Sequence, residues 1–225
     1  MAIKILPTIT TTAEWRKKIQ EAKKLKLKEV CFFPTMLEKP ERKEAYKLLK
    51  KAGIEKIPFV HLKMNMNEKE VLYLKKNFHT KVFNIHTKNE YLFSKNLKKF
   101  KKQIYLENSV VDFEKGEINE WAGMCIDTAH MENLRLMKNP LYNNFMKLLK
   151  TSKIGCAHIS AILKTPIFDP RRNGYGYDFH RYTNLKEFDY LKRYKQFFPS
   201  IMALELENTL QEQLEVKKYI QKNIV

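Results

Sequence analysis

Along this chain, short apolar runs rich in β-branched and aromatic residues alternate with lysine-rich segments whose apolar positions recur with a helical period. Eight runs read as strands: residues 3–7, 29–33, 57–62, 82–86, 104–107, 124–127, 154–159 and 201–205. Helices are expected over 12–25, 40–52, 68–77, 90–101, 132–149 and 185–198, with a last one over 210–221. Thr12 ahead of Glu14 and Trp15 makes a helix start, and Gly53 a helix stop. Eight strands alternating with helical segments predict an α/β fold closed as one (β/α)8 TIM barrel. No Gly-, Pro- or Ser-rich linker interrupts the chain, so residues 1–225 read as a single domain. One connection stands out: 161–184, AILKTPIFDPRRNGYGYDFHRYTN, shows no clear period. In a compact domain a loop of that length is expected to carry function.

The predicted strands end alike. The third ends in His61, the fourth in His86, the fifth in Glu107, and the sixth in Asp127 followed by Thr-Ala-His130. The seventh ends in His158, and the eighth gives Leu-Glu205-Leu-Glu207. The long connection adds Asp178-Phe-His180, so five of the six histidines are used and only His79 is left out. In a barrel, C-terminal strand ends converge on one mouth, where active sites are built. Imidazoles and carboxylates gathered there would repel or stay unsatisfied without cations, because buried carboxylates are costly unless paired or metal-bound. Mixed imidazole and carboxylate ligation suits divalent zinc or manganese.

Period-two alternation adds a layer below this mouth. Phe59 lies beneath His61, Asn84 beneath His86, Tyr105 beneath Glu107, Cys125 beneath Asp127 and Cys156 beneath His158. On the eighth strand, choosing Glu205 as the ligand leaves Ala203 beneath it, whereas choosing Glu207 buries Glu205 as a charge. Against this, Leu-Glu207-Asn-Thr echoes Leu-Glu107-Asn-Ser. Glu205 is favoured, and Glu207 stays a candidate.

Composition narrows the setting. With 44% hydrophobic residues the chain can bury a core. It has no apolar run near the ~18 residues that span a bilayer. The opening Met-Ala-Ile-Lys-Ile-Leu-Pro has no signal-peptide pattern, which predicts a cytoplasmic protein without membrane partners. Cys31, Cys125 and Cys156 are odd in number and far apart, which argues against a disulfide framework or a cysteine zinc site. A formal charge of +18 favours a polyanionic partner, nucleic acid above all, although lysine enrichment can also be compositional drift.

The ordered strand-end residues resemble the xylose-isomerase-like barrel superfamily, which includes sugar isomerases, epimerases and endonuclease-IV-type apurinic endonucleases. Glu107, Asp127, His158 and Glu205 match its common core. His61, His86, His130 and the pair Asp178-x-His180 are similar to the endonuclease branch, where the matching residues hold three zinc ions. By that resemblance His61, His86 and Glu107 would hold one metal, and Glu107 would bridge to a second on Asp127, His158 and Glu205. His130, Asp178 and His180 would hold the third. After His158 the endonucleases usually carry Asn-Asp, where this chain has Ile159-Ser160-Ala161.

The resemblance implies a metal-dependent hydrolase cutting the DNA backbone at abasic sites, with Glu107 and Glu205 as its catalytic carboxylates. Lys63 and Met64, just past His61, and Arg171, Arg172, Tyr175 and Tyr177 in the long connection are candidates for substrate contact. The alternative is a divalent-metal-dependent isomerase or epimerase acting on a sugar or sugar phosphate, with the two glutamates passing a proton between adjacent carbons.

Overall fold

The computed structural model describes residues 3–11, 14–92, 95–170 and 173–225. Eight parallel strands close on themselves. They are β1 (Lys4–Thr10), β2 (Cys31–Phe33), β3 (Phe59–His61), β4 (Val82–Ile85), β5 (Ile104–Glu107), β6 (Met124–Asp127), β7 (Ile154–Ile159) and, after an excursion, β10 (Ile201–Leu204). Each pairs with the next, and β10 pairs with both β7 and β1, so the wall has no free edge. This is a (β/α)8 TIM barrel.

Alternation along each strand sorts residues between two environments. Val60, Ile104, Leu106, Met124, Ile126, Ala157, Ile159, Met202 and Leu204 face outward into the helix-covered cores. Leu6, Cys31, Phe59, Tyr105, Cys125, Cys156, Ile201 and Ala203 face inward and plug the barrel interior. The three cysteines are buried, free packing residues. One position in β7 breaks the alternation. Met124 pairs with Ile154 while the next residue, Cys125, pairs with Cys156, so Gly155 is an extra bulged residue. A Cβ at Gly155 would stand 2.0 Å from the Tyr105 ring, so only glycine leaves room for the ring beneath Glu107.

Helices α1 (Trp15–Lys24), α2 (Lys39–Lys51) and α3 (Glu68–Phe78) follow the first three strands. α4 (Thr128–Leu136) and α5 (Leu141–Thr151) lie between β6 and β7, and α6 (Leu210–Asn223) closes the chain. Thr12 lies outside the described residues, and α1 begins at Trp15. α2 ends two residues before Gly53, whose φ of 84° turns the chain away.

Three expected helices come out differently. The 132–149 segment is broken by the left-handed Lys138 and by Pro140, which stands at the start of α5. The 90–101 segment yields only a 3-10 stretch, Lys95–Phe100, and 185–198 forms 3-10 turns, Leu185–Arg193 and Lys195–Phe197. The long connection is not irregular. It folds into an antiparallel hairpin, β8 (Ala161–Asp169) with β9 (Gly174–Phe179). Among the described residues, no helix is long and apolar enough to cross a membrane.

Candidate metal centre

One step beyond the interior plug, at the C-terminal edge of the wall, the inward side chains become ionisable. Glu107 is the hub. Its Oε2 lies 3.1 Å from His61 Nε2 and its Oε1 3.3 Å from His158 Nδ1. His158 Nδ1 is also 3.2 Å from Glu205 Oε2 and 3.9 Å from Asp127 Oδ2. Ligand atoms within 4.8 Å of one another form four groups among the described residues: His61–His86–Glu107, Asp127–His158–Glu205, Glu107–Asp127–His130 and Glu107–Cys125–His158.

The hydrogen bonds behind the ligands decide what the first group presents. His61 Nδ1 is 3.2 Å from the Leu62 carbonyl, and His86 Nδ1 is 2.8 Å from Glu90 Oε2. The Glu90 carboxylate carries no proton, so His86 Nδ1 donates its hydrogen there and leaves a lone pair at Nε2. His61 faces a proton-free acceptor at each nitrogen, the Leu62 carbonyl at Nδ1 and Glu107 Oε2 at Nε2, and its Nε2 stands 3.0 Å from His86 Nε2. With the Leu62 carbonyl anchoring Nδ1, a cation beside the two Nε2 atoms and Glu107 would take the place of an Nε2 hydrogen. Anchoring of Nδ1 by a carbonyl or carboxylate is the usual outer-shell arrangement of a metal-binding histidine.

The second group carries a different mark. Asp127 Oδ2 and both ring nitrogens of His158 are buried without a hydrogen-bond partner. Asp127 Oδ1 is already taken, accepting from the His130 backbone N–H at 2.8 Å as the N-cap of α4. Orphaned groups of this kind at the hub are what a cation would satisfy. The residues fit a metal in both groups.

The remaining candidates are placed as follows. His130 Nδ1 meets Asp178 Oδ2 at 2.9 Å, so the hairpin delivers Asp178 to the mouth. His180 lines the cleft, with Nδ1 3.1 Å from the Glu205 carbonyl oxygen. The four groups include His130 but neither Asp178 nor His180. Glu207 lies beside Lys17, Lys18 and Thr209 on an outer groove, and it also borders a small crevice that reaches His180 and Glu205. Its echo of the fifth strand resides in the asparagine. Asn108 exchanges two hydrogen bonds with the Asp127 backbone, and Asn208 does the same with the Tyr182 backbone.

A cleft of about 300 Å³ opens over the hub, lined by His61, Lys63, Met64, His86, Glu107, His130, His180 and Glu205 among others. Lys63 Nζ is held by Glu38 at 2.6 Å, and Met64 is 41% exposed at the rim. Tyr175 is 65% exposed on β9 against Phe168, and the Tyr177 backbone N–H donates to Asn133 at 2.8 Å. Neither tyrosine lines the cleft among its described residues. Arg171 and Arg172 lie outside the described residues.

Sequence reasoning missed several supporting groups. Asn84, read as lying beneath His86, donates its amide to Glu107. Glu90, which fixes the His86 tautomer, sits four residues after it; that spacing was the available signal. Tyr91 packs edge-on against His86 at 5.4 Å, and Thr35 and Met36 join the cleft wall.

Charges within the hub reinforce one another. Burial alone would raise the Glu107 carboxyl, but His158, His86 and His61 override it and hold it well below its ordinary 4.5. Burial likewise opposes the fall of Glu205, which His180 and His158 bring to about 2. Burial pushes Asp127 up, and the Glu107 and Glu205 charges add to the rise against the pull of His130. Burial works against protonation of His158, yet the Cys125 sulfur, Glu107 and Glu205 lift it well above 6.5. His86 is raised against burial by Glu107 and Glu90.

The signs give a stability profile for protein stripped of metal. His158 and His86, raised in the fold, contribute stability that is complete below pH 6.5 and lost as pH climbs through their higher values. Glu107 and Glu205, depressed in the fold, contribute stability present above pH 4.5 and lost toward acid, with Asp127 opposing them there. Chelator-treated protein is expected to melt highest between roughly pH 5 and 6.5. With zinc present the melting temperature should instead climb from about pH 6 to 8, because ligands must deprotonate to bind. Identical melting profiles with chelator and with zinc would contradict this.

No protein-family model matches the sequence, and no curated protein sequence matches it. Among solved structures, the chain is similar to a xylose isomerase-like TIM barrel protein from Mycobacterium smegmatis in complex with magnesium. The two share 13% identity with a TM-score of 0.53, over 97% of this chain and 95% of that chain. The two share the TIM-barrel fold. In this barrel the interior plug, the ionisable ring and the hairpin after β7 together define the mouth.

Proposed function

We propose that this barrel is a metal-dependent phosphodiesterase of the endonuclease-IV type, hydrolysing the DNA backbone at abasic sites. The observation that carries the reading is Glu107, whose two oxygens face two different ligand groups, His61–His86 on one side and His158 with Asp127 and Glu205 on the other. A sugar isomerase or epimerase would use Glu107, Asp127, His158 and Glu205, and would leave the His61–His86 pair without a task. The magnesium held by the Mycobacterium protein supports a divalent ion, and the ligand chemistry here favours zinc, with manganese as a substitute.

Bound divalent ions would polarise a phosphate oxygen and bring water ionisation toward neutral pH. Glu107 keeps the two ligand groups adjacent. Glu205, on the cleft wall and ionised down to about pH 2, accepts a hydrogen bond from the attacking water and orients it. Lys63 at the rim supplies a positive charge for a flanking phosphate, and Met64 beside it offers an apolar edge to a base. The net charge of +18 favours approach of a polyanion whatever its sequence.

Zinc-loaded protein incubated with a duplex bearing one abasic site is expected to nick the strand there, and chelator should stop the reaction. An intact duplex, together with conversion of a ketose or sugar phosphate to its isomer in manganese, would replace this reading with the isomerase one.

A further inference from the structure

Outside the mouth, a groove of about 360 Å³ runs between α2 and α3. Lys39, Lys43 and Lys47 line one wall and Lys69 the other, with Tyr46 and Tyr73 at the base. The spacing of four residues stacks the three α2 lysines along one face over about 12 Å. Among the described residues, none of the four ammonium groups has a hydrogen bond or ion pair. The acids on the same two helices and their rim are already engaged, Glu44 with Arg16, Glu38 with Lys63 and Glu68 with Lys99.

The carboxylate nearest the groove does not offset them. Glu70 is buried and spent on Arg42, which donates to both its oxygens at 2.8 Å. The groove therefore holds three uncompensated ammonium groups in a row and a fourth facing them, beside two tyrosine rings whose centroids are 5.3 Å apart. It also begins where the cleft ends. Met36 and Met64 are at the cleft, while Lys39 and Asn67, three residues further along the same two loops, are at the groove. Between them Glu38 ties Lys63 and Asn65 together at 2.6 and 3.0 Å, forming the shared rim.

The geometry points to this groove as a track for a single nucleic-acid strand, holding the phosphates that flank the segment in the cleft. A row of lysines beside the half-buried Tyr73 ring suits phosphates and a base together, without sequence preference, with Tyr46 buried beneath. The strand's identity rests on the phosphodiester reading of the cleft, but its binding does not require metal.

The test is fluorescence anisotropy of the full chain with a labelled single-stranded DNA of about 12 nucleotides, in chelator, from roughly 50 to 200 mM salt. Lys43→Glu/Lys47→Glu is expected to weaken binding at least tenfold and to flatten the log–log salt slope by about 1.4, at roughly 0.7 per phosphate lost. Lys69→Glu, on the facing helix, should weaken it in the same direction. Lys218→Glu/Lys222→Glu on α6 makes the same change of charge far along the chain and is expected to retain the slope. Circular dichroism confirms that each variant is folded. Equal losses for the α6 and α2 variants would overturn the track, as would equal displacement of the DNA by polyglutamate. Absence of binding overturns the track while leaving the cleft chemistry standing, since that is read separately from metal-dependent cleavage of a small chromogenic phosphodiester.

Discussion

Glu107→Gln is expected to lower metal-dependent cleavage by more than the roughly 10–100-fold typical of losing an outer-shell partner, because here a shared ligand itself is changed. The amide preserves shape and volume, so the interior plug beneath it should stay packed. Its NH2 group, however, must face either His61 or His158, and a donor cannot hold a cation where Glu107 now sits 3.1 and 3.3 Å from those rings. Zinc retained after dialysis should fall together with the rate. Glu207→Gln, at the similar-looking sequence position, should behave close to the parent protein. If Glu107→Gln kept both its zinc and its rate, the bridging role would be wrong.

The largest expected loss of stability lies at Arg42. This residue has no exposed surface, and its guanidinium donates to both Glu70 oxygens, to the Leu37 carbonyl and to Asn65 Oδ1, all at 2.8–2.9 Å. Arg42→Met fills much of the volume but leaves the buried Glu70 carboxylate with the Tyr46 hydroxyl, at 3.3 Å, as its remaining side-chain donor. Removing one partner of such a pair costs about 3–5 kcal/mol. For a chain of this size that lowers the melting temperature by roughly 10 °C. Arg42→Met combined with Glu70→Leu should recover most of the loss, since replacing both charges by apolar groups is often close to neutral. If the double variant melted no higher than Arg42→Met, lost packing rather than a stranded charge would be the cause.

The barrel and its mouth were legible because two periodicities agreed. Phe59/His61, Tyr105/Glu107, Cys125/Asp127 and Cys156/His158 each put a neutral residue and an ionisable one on the same face, two positions apart, and the structure keeps each pair pointing inward. The elements that were misread had competing signals. Leu185, Phe188, Leu191, Tyr194 and Phe197 recur every three residues, which is the 3-10 period rather than the α period, and Phe188, Leu191 and Tyr194 are fully buried on that face. Pro140 sits inside an otherwise helical pattern and starts a new helix there. In the hairpin, Pro, Gly and aromatic residues masked the alternation of β9. The anchoring of His61 Nδ1 lies beyond sequence, because it depends on a backbone carbonyl.

The hairpin after β7 also bears on how such a protein can change over generations. β10 pairs directly with β7 through Met202–Ala157, Ala203–His158 and Leu204–Ile159, so the wall is complete without β8 and β9. The hairpin is an appended arm, yet it brings Asp178 to His130 and leads straight into His180. A segment that holds side chains at the mouth without holding up the wall can be lengthened, shortened or exchanged while the scaffold stays intact. Diversification in barrels of this design should therefore be concentrated in that arm, with the plug and the eight strand ends inherited nearly unaltered.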